Sequence, residues 1–179
     1  MKPKETIAQF DRFLAERGLG LDAVVIGGVA MVLLDVASRQ TRDCDVLDPR
    51  IPPEVADAAR DFAVAVRARG EALGDDWFNN GPASLADLLP GGWRKRVQTL
   101  FEGAALTLRG LGRADLLKSK LFALCDRGLD LSDCIALAPT PEELEEVLRW
   151  LIRQDLHPGW PDHVRDTLAD LRKRFRHAV

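Results

Sequence analysis

Apolar residues recur along the first 110 positions with two different periods. Ile7, Phe10, Phe13 and Leu14 follow helical spacing within residues 6–17, and Gly18 and Gly20 end that run. Ala23-Val24-Val25-Ile26 is a short apolar, β-branched stretch that predicts a buried strand. It runs straight into Gly27-Gly28 and a second helix-like segment over residues 29–37. Residues 44–47 read as another strand, closed by Asp48-Pro49. Pro52 and Pro53 open a helix predicted to reach about Arg69, with Glu54 in the first turn, where an acid is favoured. Residues 75–82 read as loop or strand end. Ser84 is placed to cap a short helix to 89, and Pro90-Gly91-Gly92 breaks the chain. Residues 97–101 and 105–108, separated by Glu102-Gly103, predict a hairpin or two strands around a tight turn.

From Arg113 onward the pattern is helical to the end. Helices are predicted over residues 114–126 and 131–137, and Thr140-Pro141-Glu142-Glu143 reads as a capping box opening a third, to about Gln154. His157-Pro158-Gly159-Trp160-Pro161 leads to a last helix over 162–175. Strands therefore concentrate in the first part and helices in the last 65 or so residues. The fold class is α+β: a small mixed sheet flanked by helices over residues 1–112, with a helical part over 113–179 packed on that core.

Composition adds little to the fold but excludes some functions. The 46% hydrophobic and 30% charged residues suit an ordinary globular chain. A net charge of −3 gives no global field that would draw the protein to nucleic acid. The basic runs Arg94-Lys95-Arg96 and Arg172-Lys173-Arg174 read as local solvated clusters rather than a nucleic-acid footprint. No apolar run approaches the roughly 18 residues that would span a bilayer, so no membrane role is expected. Cys44, Cys125 and Cys134 form no CxxC pair, which favours a reducing compartment and a cytoplasmic location. His157, His163 and His177 lack zinc-site spacing.

The chemistry concentrates between Val25 and Leu47. Two glycines between a strand and a helix let a phosphate approach the backbone N–H groups closely. Asp43 and Asp45 lie two apart on a strand, so both carboxylates project from one face, with Cys44 and Val46 turned to the core. Two carboxylates beside a phosphate-binding turn form a Mg²⁺ site completed by substrate phosphates. Each signal alone is weak: Gly-Gly after a strand is usually a turn, and Asp-x-Asp is usually a solvated strand face. Arg39 and Thr41 between the two signals strengthen the combination.

The same residues resemble the signature of the nucleotidyltransferase superfamily, the polymerase β-like fold. Gly27-Gly28-x-Ala30 followed by Arg39-x-Thr41-x-Asp43-x-Asp45 is similar to an uncharacterised bacterial branch related to the abortive-infection (AbiEii-type) toxin and minimal nucleotidyltransferases. Trp77-Phe78-Asn79 matches a Trp-x-Asn feature of that branch, and Leu117-x-x-Lys120-Leu-x-Ala123, Arg127 and Asp130-x-x-Asp133 resemble its helical motif. The resemblance implies that Gly27, Gly28, Thr41 and Lys120 bind the nucleotide. It implies that Asp43 and Asp45 bind Mg²⁺ or Mn²⁺ and act in catalysis, and that Asp133, completing the helical motif, is catalytic too. Read from the residues alone, Lys120 is as readily a solvated helix position, and Asp133 an ordinary acid in a first helical turn.

The chain departs from the pattern in three respects: the gap between Gly28 and Asp43 is slightly longer, Cys44 stands between the aspartates in place of the usual Ile, Leu or Val, and the later strands lack an acid. Many members carry a third carboxylate on a later strand, whereas here only Glu102 is nearby, in the expected turn. The function implied is metal-dependent transfer of a nucleoside monophosphate from an NTP to a hydroxyl on a protein, RNA or small molecule. A toxin–antitoxin or defence setting, with a cognate partner protein, fits the same resemblance. The missing acid supports an alternative: a non-catalytic module of this fold that binds a nucleotide or a partner.

Overall fold

The computed structural model describes residues 2–37 and 40–177, with side chains to Phe175. Five strands form one mixed sheet in the order β3-β2-β1-β5-β4: β1 Leu21–Ile26, β2 Cys44–Asp48, β3 Phe78–Asn79, β4 Gln98–Glu102 and β5 Leu106–Gly110. β1 runs antiparallel to β2 and parallel to β5; β2 and β3 are parallel, and β4 and β5 antiparallel. The hairpin thus sits on one side of the central strand and the Asp-x-Asp strand on the other.

Helices α1 (Pro3–Ala15) and α3 (Pro53–Ala68) supply the apolar cover for the sheet. Both open with proline in the first turn, where the missing N–H costs nothing. Ile7, Phe10 and Leu14 of α1 pack with Ala58, Phe62 and Val66 of α3 and with Ala23, Val25, Val46 and Leu108 of the strands. Trp77 is fully buried among them, its ring edge-on to Phe10 at a centroid distance of 5.0 Å. Its Nε1–H donates to the Ala59 carbonyl at 3.0 Å, so the one polar atom of the ring is satisfied. The Trp77 carbonyl in turn accepts the Cys44 N–H, which ties the start of β3 to the start of β2.

Two boundaries differ from expectation for local reasons. The helix after β1, α2 (Gly27–Leu33), begins at the first glycine and stops four residues short of Ala37. Asp35 takes a left-handed conformation (φ 56°), which no helix interior tolerates. Glu102, expected in the hairpin turn, is the last residue of β4 and pairs with Thr107. The turn lies one residue later because Asp11 of α1 reaches into it. Its carboxylate accepts the N–H groups of Ala104, Ala105 and Leu106 at 3.2, 2.9 and 2.8 Å. Burial pushes the Asp11 carboxyl upward, but these three backbone bonds outweigh it and hold the group below its ordinary value.

The chain divides into two compact units, residues 1–87 with 91–112, and residues 88–90 with 113–179. The second unit is built from α5 (Arg113–Arg127), α6 (Leu131–Leu137), α7 (Pro141–Leu151) and α8 (Trp160–His177). Thr140 and Glu143 form the expected capping box, each side chain bonding the other's backbone N–H. Phe122 of α5 meets Trp150 and Trp160 at 6.2 and 6.4 Å. Between β3 and β4 lie α4 (Leu85–Leu88) and a 3₁₀ turn at Trp93–Lys95.

Candidate active site

Strand register brings the Gly-Gly turn and the two aspartates to one end of the sheet. Ile26, the last residue of β1, lies opposite Asp45, and Val25 lies opposite Val46. Cys44 and Val46 are fully buried and belong to the core, while the half-buried Asp45 takes the other face, as a period of two requires; Asp43, also half-buried, lies just before β2 and not on it as expected. A register shift between Val24 and Val25 leaves Leu47 as the extra residue, and Asp48 falls opposite Val24. Asp48 is engaged there: Arg94 grips both its oxygens at 3.0 and 3.1 Å. That bidentate pair lies in a cleft of about 480 Å³ with Arg50, Asn80 and Asp87, whose walls include none of Gly27, Gly28, Asp43 or Asp45.

Gly27 is where the turn and the Asp-x-Asp strand meet. Its φ of +73° lies in the left-handed region that favours glycine, and a Cβ there would stand 2.5 Å from Asp45 Oδ2. The bare backbone of residue 27 is therefore what allows the Asp45 carboxylate to sit over the turn. The helix that follows has only seven residues, so close backbone access carries more weight here than a helix macrodipole. Thr41 Oγ1 donates to the Asp43 carbonyl at 3.3 Å and steadies the approach to β2. Arg39 lies outside the described residues.

The partner sequence reasoning left without a role is Asn79. On β3 it sits in register with Asp45, with its Nδ2 3.5 Å from Asp45 Oδ1. The Trp-x-Asn pattern was its only signal, because a two-residue strand has no periodicity to read.

Between the two aspartates, burial drives the Cys44 thiol well above its ordinary range, and the charges of Asp45 and Asp43 add to the effect. It stays a protonated, small apolar side chain.

Glu102 lies at the far end of the sheet from these groups. It pairs with Thr107, which pairs with Asp22, four residues before Ile26. That is about 13 Å along the strands, with three strand spacings of about 4.8 Å across them. It cannot join Asp43 and Asp45. Among the described residues no group of three or more His, Cys, Asp or Glu side chains could hold a metal.

Lys120 and Asp133 belong to the helical unit, and neither is solvated. Lys120 is 4% exposed and Asp133 2%. Lys120 Nζ lies 2.7 Å from Asp133 Oδ2 and 3.1 Å from Asp130 Oδ2. Asp130 holds a left-handed backbone (φ 64°) just before α6, which brings its carboxylate back toward α5. The apolar stripe expected on α5 is therefore too narrow: Lys118, Ser119 and Lys120 are buried as well, each with a bonded partner.

A sequence model of the family DUF6036, described as a nucleotidyltransferase of unknown function, matches residues 5–138. The match takes in the whole sheet unit past α1's first residues and continues through α6, so Lys120, Asp130 and Asp133 fall inside it. No curated protein and no solved structure gives a match. With three quarters of its length covered, the chain belongs to this nucleotidyltransferase family of unknown function.

Proposed function

We propose that the chain transfers a nucleoside monophosphate from an NTP to a hydroxyl acceptor, using Mg²⁺ or Mn²⁺ held by Asp43 and Asp45. The observation that carries this reading is the seat of the Asp45 carboxylate over Gly27, where a Cβ would displace it. A metal at these oxygens would lie beside the Gly27-Gly28 turn, where bare glycine backbone lets phosphate oxygens approach. The donor set fits the ion: two half-exposed hard oxygen ligands leave positions for water and phosphates, which is how Mg²⁺ is usually held. When bound, the ion supplies charge neutralisation at the phosphates. In the reaction the acceptor oxygen bonds to the α-phosphorus, the bond to pyrophosphate breaks, and the hydroxyl proton passes to solvent or a base. The family match supports nucleotidyl transfer as the class of activity. A cognate partner protein and a toxin–antitoxin or defence setting extend the proposal from the resemblance.

A second reading, a non-catalytic nucleotide- or partner-binding module, draws on a specific observation. Neither β4 nor β5 carries an acid at the end where Asp45 sits, since Glu102 lies at the other. Calorimetry with ATP, GTP, CTP and UTP, each with and without Mg²⁺, tests the binding site itself. Metal-dependent binding of at least one NTP that is lost in the Asp43→Ala/Asp45→Ala double variant is expected. Absence of binding by the wild type to all four sinks the nucleotide reading. Labelled NTPs incubated with cell extract then separate the two: labelling above that of the double variant indicates transfer, and equal labelling the inert module.

A further inference from the structure

Asp45 has its two oxygens directed to different neighbours. Oδ2 faces Gly27, and Oδ1 faces the side-chain amide of Asn79. That amide is itself held in one orientation. Its Oδ1 accepts the Gly81 N–H at 2.6 Å, and its Nδ2 donates to the Asp76 carbonyl at 3.1 Å. Turning the amide over would set its NH₂ against the Gly81 N–H and its oxygen against the Asp76 carbonyl, losing both bonds. Gly81 permits this close contact, because a Cβ there would come 2.8 Å from Asn79 Oδ1.

The next residue fixes the whole segment to β2. Asn80 Nδ2 donates to the carbonyls of Val46 and Pro49 at 2.9 and 3.1 Å, and its Oδ1 accepts the Ile51 N–H at 2.7 Å. β3 is only two residues long, and these side-chain bonds do the work that a longer ladder would do. The donor facing Asp45 is thus mounted on the strand beside it, at a fixed register and in a fixed orientation.

We infer that Asn79 is a positioning residue for Asp45. Its amide N–H takes Oδ1 and so sets the orientation in which Oδ2 lies over the Gly27 turn, on the side proposed for the metal and phosphate. The 3.5 Å separation is long for such a bond, and it shortens when a cation draws the carboxylate into its working position. An amide suits this place better than a carboxylate, which would repel Asp45 and compete for the metal. The inference rests on the metal-binding reading of Asp43 and Asp45.

The test is Mn²⁺ affinity, measured from free Mn²⁺ by electron paramagnetic resonance with a non-hydrolysable analogue of whichever NTP binds. Thermal unfolding of each metal-free variant runs alongside. Asn79→Ala is expected to weaken Mn²⁺ about tenfold, the scale typical for a group that orients a metal ligand. Gly81→Ala, which touches Asn79 and not Asp45, is expected to weaken it in the same direction. In an Asp45→Asn background Asn79→Ala is expected to make no further difference, whereas in Asp43→Asn its effect persists. A role confined to stability would lower the melting temperature and leave the affinity of the folded protein unchanged. Wild-type affinity in Asn79→Ala, with binding lost in Asp45→Ala, overturns the inference and spares the site. Absence of Mn²⁺ binding by the wild type overturns the metal reading and the inference with it.

Discussion

At the scale of single residues, Gly27 carries the most consequence. Two separate physical demands fall on it: a left-handed backbone and an empty Cβ position against Asp45 Oδ2. Gly27→Ala therefore destabilises the sheet unit by roughly 1 kcal/mol or more from the backbone alone. It also pushes the Asp45 carboxylate off the turn, so metal-dependent NTP affinity falls by about tenfold or more. Thermal unfolding and calorimetry on the same variant measure the two effects separately. Wild-type NTP affinity in a folded Gly27→Ala protein would show that Asp45 does not work from this seat. The sequence alone suggested this glycine, because Gly-Gly between an apolar strand and a helix pattern is a readable junction. The reason it is needed, a carboxylate arriving from β2, depends on the register of two strands and no local pattern encodes it.

At the scale of elements, patterning located nearly every helix and strand but misjudged what polar side chains do inside them. The apolar positions of α5 marked its buried stripe, and the helix then proved buried at Lys118 and Lys120 too. Lysine gives no sequence signal for burial, since its fate depends on acids supplied by another element. For Lys120 those acids are Asp130 and Asp133, the second on α6. Lys120→Met removes the cation from beside a carboxylate that is 2% exposed. The expected cost is about 3–5 kcal/mol, much of it recovered when Asp133→Leu is added. Urea denaturation of the single and double variants checks this, and equal stability of wild type and Lys120→Met would refute a structural role for the pair. β3 escaped clear prediction for the opposite reason. Two residues have no period, and Phe78-Asn79 is a strand only because Trp77 and Asn80 fasten the segment to β2.

At the scale of the molecule, topology decides which acids can act together. Glu102 stood in the sequence as a nearby acid after the Asp-x-Asp strand, within a hairpin that was itself legible. Only the pairing order β2-β1-β5-β4, with β4 running back along β5, reveals that it lies at the far end of the sheet from Asp45. Glu102→Gln is thus expected to leave NTP affinity and any transfer rate within about twofold of wild type, an edge-of-sheet surface change of small energetic effect. A loss of transfer beyond tenfold, measured with labelled NTP, would contradict the strand order. Chain order and spatial order diverge most where a parallel and an antiparallel neighbour flank the same central strand, and no spacing rule anticipates that.

The alternation of β2 also bears on which metals the chain would choose. Cys44 stands between the two aspartates in sequence yet points to the other side of the sheet, buried and held in its protonated form. A thiolate in that place would favour soft, thiophilic ions such as Zn²⁺ or Cd²⁺. Because a strand turns every second side chain away, the face of β2 that carries Asp45 presents a carboxylate and not the thiol of Cys44. One residue of slippage in β2 would exchange a hard ligand for a soft one, so under the proposed metal reading the packing that seats Cys44 and Val46 in the core would also act as a filter on metal chemistry.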